Sequence, residues 1–134
     1  MELFHFDIET CPLYKNYLAF SLNDEKGSKL FEKKFHKMKW DKEYDSIEDA
    51  YNEKAGLLST YGKIICISCG FLDSNGNKKI SSYYGNDEQE ILNSFNKLLN
   101  KIEKKSFNLS GFKIEQFDIP WILHKMHKYN IKPS

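Results

Sequence analysis

The sequence predicts an α/β fold: a mixed sheet of three antiparallel strands followed by a parallel strand, with flanking helices. Three observations carry this reading. Short apolar runs rich in β-branched and aromatic residues begin near Leu3, Lys63, Lys78 and Phe107. An Asn-Gly turn joins the second and third of them, which makes that pair antiparallel. A segment of helical period then separates the third run from the fourth, the connection that a parallel return to the sheet requires.

Taken in order, Leu3 to Ile8 reads as the first strand, with Phe4, Phe6 and Ile8 on one face and His5 and Asp7 on the other. From Lys26 to Lys42 seven lysines stand against Glu32 and Asp41, with Leu30, Phe31, Phe35 and Met38 near helical spacing; a basic helix is expected there. Ser46 followed by Asp49 resembles a capping box, and Ile47, Ala50, Tyr51 and Leu58 then share a face, which predicts a helix over about 46–58. Gly62 interrupts it, and residues 63–72 form an apolar second strand. Asp73-Ser74-Asn75-Gly76-Asn77 turns the chain into a third strand over 78–84. Asn86 or Asp87 caps a long helix in which Ile91, Leu92, Phe95, Leu98, Leu99 and Ile102 repeat at the helical period. Phe107 to Phe112 is a short fourth strand, and Phe117 to Tyr129 a last helix with Ile119, Ile122, Leu123 and Met126 inward. With no repeat, linker or low-complexity tract, residues 1–134 read as one domain.

Composition narrows the function. Lysine supplies all 20 basic side chains against 19 acidic ones, for a net charge of +1. That balance excludes a strongly basic, sequence-independent duplex binder. The lack of Arg excludes an arginine finger or a bidentate guanidinium clamp. No apolar run reaches the roughly 20 residues that span a bilayer, and the first residues are acidic where a signal peptide is basic. A soluble, cytoplasmic protein without membrane partners is expected. Three cysteines without a secretion signal read as reduced thiols. Cys66 and Cys69 are three apart within a strand, so their sulfurs diverge, and no second pair completes a zinc site.

The chemistry gathers at carboxylates. Asp7 and Glu9 lie two apart at the end of the first strand and project to the same side. Hard divalent cations take carboxylate oxygens, and two converging acids suit Mg²⁺ held against a phosphate. Asp41 and Glu43 repeat the spacing, but within a polar stretch. Asp118, in Phe117-Asp118-Ile119-Pro120, is a favoured helix cap before a proline suited to the first turn. If the fourth strand runs beside the first, the start of the last helix lies over Asp7 and Glu9, and three carboxylates converge.

These residues resemble a family. Phe6-Asp7-Ile8-Glu9-Thr10 is similar to the first motif of the DnaQ-like (DEDD) 3′–5′ exonucleases of the ribonuclease H-like superfamily. The run from Gly111 to Pro120 resembles their second motif. The nearest likeness is to predicted 3′–5′ exonucleases related to the proofreading domain of family-B DNA polymerases. Ala55-Gly56, Tyr61 to Ser68 and Tyr84-Gly85-Asn86-Asp87-Glu88 fit that pattern as well. The resemblance implies a ribonuclease H-like fold and a two-metal site for Mg²⁺ or Mn²⁺. Asp7 and Glu9 would hold the metal that activates water, Asp7 would bridge to a second ion, and Asp118 would complete that second ion's shell. It further implies hydrolysis at the 3′ end of single-stranded DNA or RNA to nucleoside monophosphates, with Ile8, Thr10, Lys113 and Phe117 on the nucleic acid. Gly111-Phe112-Lys113 stands where the family usually has Gly-His-Asn. The third motif, with a fourth carboxylate and a Tyr or His, would fall beyond Ser134, together with a final strand and helix. The expectation is a chain of weak or no activity by itself, with an exposed edge open to self-association. The rival readings are a non-catalytic nucleic-acid-binding module of the same fold and a related nuclease of other polarity.

Other candidates have plainer readings. His124 and His127 have a chelating spacing on the last helix but no third ligand, and read as solvent-facing. His5 shares the side of Asp7, and Trp121 lies off the inward stripe of its helix. Lys33, Lys34, Lys37, Lys39 and Lys42 could follow a phosphate backbone or form a solvated face.

Overall fold

The computed structural model describes residues 2–72, 75–102, 107–110 and 117–133. The chain forms two compact units, residues 1–9 with 64–134, and residues 10–63. It is an α/β structure, and no helix among the described residues is long and apolar enough to cross a membrane.

Strands β1 (Glu2–Pro12), β2 (Gly62–Leu72), β3 (Lys78–Tyr84) and β4 (Phe107–Ser110), most of whose residues belong to the first unit, make a sheet in the order β3-β2-β1-β4. β2 and β3 pair antiparallel from Leu72↔Lys78 to Cys66↔Tyr84, and Gly76 takes the φ of +80° that the turn needs. Asp73 and Ser74 lie outside the described residues. β4 runs parallel to β1 from Glu2↔Phe107 to His5↔Ser110.

Two helices of this unit, numbered in chain order after three in the second unit, are α4 (Glu88–Ile102) and α5 (Ile119–Lys128). Asp87 caps α4 by accepting the Glu90 N–H at 3.1 Å. Both helices pack on one face of the sheet, where Phe4, Phe6, Ile8, Ile64 and Ile67 meet Ile91, Leu92, Phe95, Trp121, Ile122 and Met126. The alternation of β1 sends His5, Asp7 and Glu9 to the other face, where they are exposed. Cys66 and Cys69 diverge as their spacing requires: Cys66 Sγ meets Ser68 Oγ, and Cys69 Sγ bonds the Ser81 carbonyl.

The inward stripe of α5 differs from expectation. Trp121, Ile122, Lys125 and Met126 are buried, whereas Leu123 is 46% exposed. The stripe that follows Asp118 recurs at Ile122, Lys125 and Tyr129, and Leu123 lies one residue, about 100°, past it. An ion pair with buried Glu88 makes Lys125 tolerable there.

The second unit holds α1 (Tyr17–Asn23), α2 (Glu25–Lys37) and α3 (Ile47–Lys54), with 3₁₀ turns at Trp40–Lys42 and Ala55–Leu57. The single basic helix expected to Lys42 is therefore corrected: α2 ends at Lys37, and Lys39 turns left-handed with φ 59°. Asn16 and Asp24 cap α1 and α2 by accepting the Ala19 and Gly27 N–H groups. Ser46 caps α3 through the Asp49 N–H, as its spacing predicts. The core of this unit is aromatic: Phe31 meets Tyr61, Tyr51 and Trp40 at centroid distances of 5.1, 5.5 and 5.9 Å.

Candidate functional site

The described pairing of β1 with β4 runs to His5↔Ser110, and farther along β1 the buried Ile8 N–H requires an acceptor. Asp118 supplies it, its Oδ2 lying 3.1 Å from the Ile8 nitrogen. The carboxylate is 2% exposed. Asp118 has helical backbone angles and makes no side-chain cap bond, so its expected role as the cap of α5 is replaced by this contact with β1.

The bond places Asp118 against the strand that carries Asp7 and Glu9. Burial is the largest influence on its carboxyl and pushes the pKa up to about 6. The Ile8 N–H opposes the rise; the charge of Asp7, a hydrogen bond with Asp7 and the charge of Glu9 add to it. Asp118 is thus brought next to Asp7 and within the field of Glu9. The three carboxylates share one locality. Among the described residues, however, no group of three or more His, Cys, Asp or Glu side chains is close enough to hold a metal ion. The donor set is all carboxylate oxygen and suits a hard divalent cation. Burial, more than the neighbouring Asp7 and Glu9 charges, raises the Asp118 carboxyl. One Asp118 oxygen is committed to Ile8, so a cation would draw on the other and on Asp7.

Asp7 also lines a cleft of about 710 Å³ on the exposed face of the sheet, with His5, Ser68, Phe71, Lys78 and Ile80. Its volume is in the range of small-molecule sites. Ile8 is buried in the core, so it offers a ligand only its backbone. The Thr10 hydroxyl donates to the Gly56 carbonyl, and Phe117 packs against Trp121 at 5.9 Å. Lys113, with the Gly111–Gln116 part of the second motif, lies outside the described residues. His124 and His127 are exposed, and Trp121 is buried.

Sequence reasoning missed a buried polar group that joins α4 to α5. Glu88 accepts the Ile64 N–H at 2.6 Å and the Tyr129 hydroxyl at 2.7 Å, with Lys125 Nζ 3.8 Å away. The signal was present: a lysine on the apolar stripe of a helix demands a buried anion. No family model matches the chain, and no curated protein or solved structure does either.

Proposed function

We propose that this chain carries the catalytic carboxylates of a metal-dependent 3′–5′ exonuclease with a ribonuclease H-like fold, acting on single-stranded nucleic acid, DNA above all. One observation carries the reading: Asp118, 111 residues from Asp7 in sequence, is held on the same strand and feels the Asp7 and Glu9 charges. Asp7, Glu9 and Asp118 would hold the cation. When bound, Mg²⁺ or Mn²⁺ supplies Lewis acidity that lowers the pKa of an attacking water and offsets phosphodiester charge. The chain's own part is to keep Asp118 fixed by its bond to Ile8 and to present Asp7 and Glu9 on an open face. The cleft beside Asp7 leaves room for a terminal nucleotide.

A second reading, a nucleic-acid-binding module that does not cleave, is favoured by Gly111-Phe112-Lys113 standing where the resembled family usually has Gly-His-Asn. Degradation of a 5′-labelled single strand with Mn²⁺ separates the two. The exonuclease reading expects stepwise shortening from the 3′ end that Asp7→Ala reduces by orders of magnitude while the circular dichroism spectrum is kept. Binding without shortening supports the module. Shortening that persists in Asp7→Ala sinks the proposed site.

A further inference from the structure

We propose that Glu88, Lys125 and Tyr129 are positioning residues that set where Asp118 stands on β1. The inference rests on the proposed nuclease for what Asp118 does, but not for where it sits. Asp118, Ile122, Lys125 and Tyr129 follow one another along a single stripe of α5 and its flanks, at intervals of four, three and four residues. Asp118 at the start takes the Ile8 N–H of β1. At the far end, Tyr129 donates to Glu88 at 2.7 Å, and Lys125 lies 3.8 Å from the same Oε1. The other oxygen of Glu88 takes the Ile64 N–H of β2 at 2.6 Å. One helix is therefore tied to two strands by carboxylates, one tie at each end.

The apolar contacts of α5, through Ile122 and Met126, resist separation from the sheet but define axial rotation poorly. Hydrogen bonds to a buried carboxylate are directional. Rotating α5 by one residue position, about 100°, would carry Asp118 off Ile8. Glu88 and Lys125 are 5% and 2% exposed, and a buried charge pair is weak evidence of added stability. Fixing the register of α5 is the use that such a pair serves here. Burial lowers the Lys125 pKa while Glu88 raises it, with Lys128 the other nearby charge; Tyr129 faces Glu88 and Asp87.

The test is amide hydrogen exchange and the proton shift of Ile8, read by NMR on the full chain. Tyr129→Phe keeps the ring and removes one tie, and Lys125→Met removes another. Ile91→Val, in the same core, serves as a control for general loosening. After correction for global stability, Ile8 is expected to exchange at least tenfold faster in Tyr129→Phe and Lys125→Met than in the control, with its proton resonance moving upfield. Should Lys125→Met not fold, Tyr129→Phe decides. Ile8 exchange that follows global stability alike in all variants would overturn the proposal. A Mn²⁺ titration read by line broadening at Ile8 is run beside it. Absence of broadening in the unaltered chain counts against the nuclease and leaves the exchange result to judge the positioning role.

Discussion

Asp118 accepts the Ile8 N–H at 3.1 Å across 110 residues of sequence. The bond joins the turn that starts α5 to the strand bearing Asp7 and Glu9. It also answers a backbone need, because a buried N–H such as that of Ile8 requires an acceptor. A carboxylate used in this way is buried beside like charges, and its proton affinity reports on both.

Stability should therefore depend on pH through Asp118. Its carboxyl is pushed from 3.8 up to about 6, chiefly by burial. A carboxyl raised on folding holds its proton more tightly in the folded chain. Its contribution is full below pH 3.8 and is lost as pH rises through about 6. The loss is on the order of 3 kcal/mol at 1.36 kcal/mol per pKa unit. Urea unfolding between pH 4 and 7 should show this decline, and Asp118→Asn should flatten it. Equal slopes for the two proteins would show that Asp118 does not titrate in this range.

Removing Glu88 should be costly because three groups lose their partner together. Glu88→Ala leaves the Ile64 N–H, the Tyr129 hydroxyl and the Lys125 ammonium unsatisfied, for an expected loss of about 3–5 kcal/mol. Glu88→Gln combined with Lys125→Met keeps an acceptor for Ile64 and deletes both charges, and should recover much of that loss. Chemical denaturation of the single and double variants gives the coupling. Strictly additive effects would mean that the two side chains do not act as a pair.

How much of this was legible follows from which residues signal locally. The β2–β3 hairpin announced itself through Asn75-Gly76, and α3 through Ser46 and Asp49. Asp7 and Glu9 were legible from strand alternation, because period 2 fixes the side on which each stands. The division of residues 17–37 into two helices was hidden, since its caps, Asn16 and Asp24, are residue types that serve turns as readily as helix starts. The Asp118 contact and the Glu88 group were hidden for another reason. Both are long-range bonds, with separations of 110, 24 and 41 residues, and no local pattern encodes the distance at which a buried carboxylate finds its donor.

Gly56 should not accept a side chain. A Cβ there would lie 3.2 Å from the Cys11 carbonyl carbon and Cα and from Pro12 Cδ. Those are mostly backbone atoms, and the Thr10 hydroxyl already holds the Gly56 carbonyl, so neither chain can back away cheaply. Overpacking of this kind costs about 1–3 kcal/mol. Gly56→Ala should lower the urea midpoint accordingly, and an unchanged midpoint would show that the Cys11 backbone yields.

Nucleic-acid affinity, if the proposed substrate is right, should rest on few lysines. The chain has no Arg and a net charge of +1, so long-range attraction is weak and contact must be local. α2 offers Lys33 and Lys37 one turn apart and exposed, with Lys34 half-buried beside them. Lys29 is held by Glu25 at 3.1 Å, which leaves it less able to neutralise a phosphate. Each lysine that displaces a counterion from a single strand adds about 0.7 to the slope of log K against log salt. Replacing Lys33, Lys34 and Lys37 by Gln should flatten that slope by up to about 2 and weaken binding at low salt more than at high salt. Fluorescence anisotropy with a labelled oligothymidylate over a salt series measures both. The helix itself should survive, because Gln has nearly the helix propensity of Lys and the buried face of α2 is Ser28, Phe31 and Phe35. If the slope is the same before and after, the lysines of α2 are a solvated face, and the phosphates are met elsewhere.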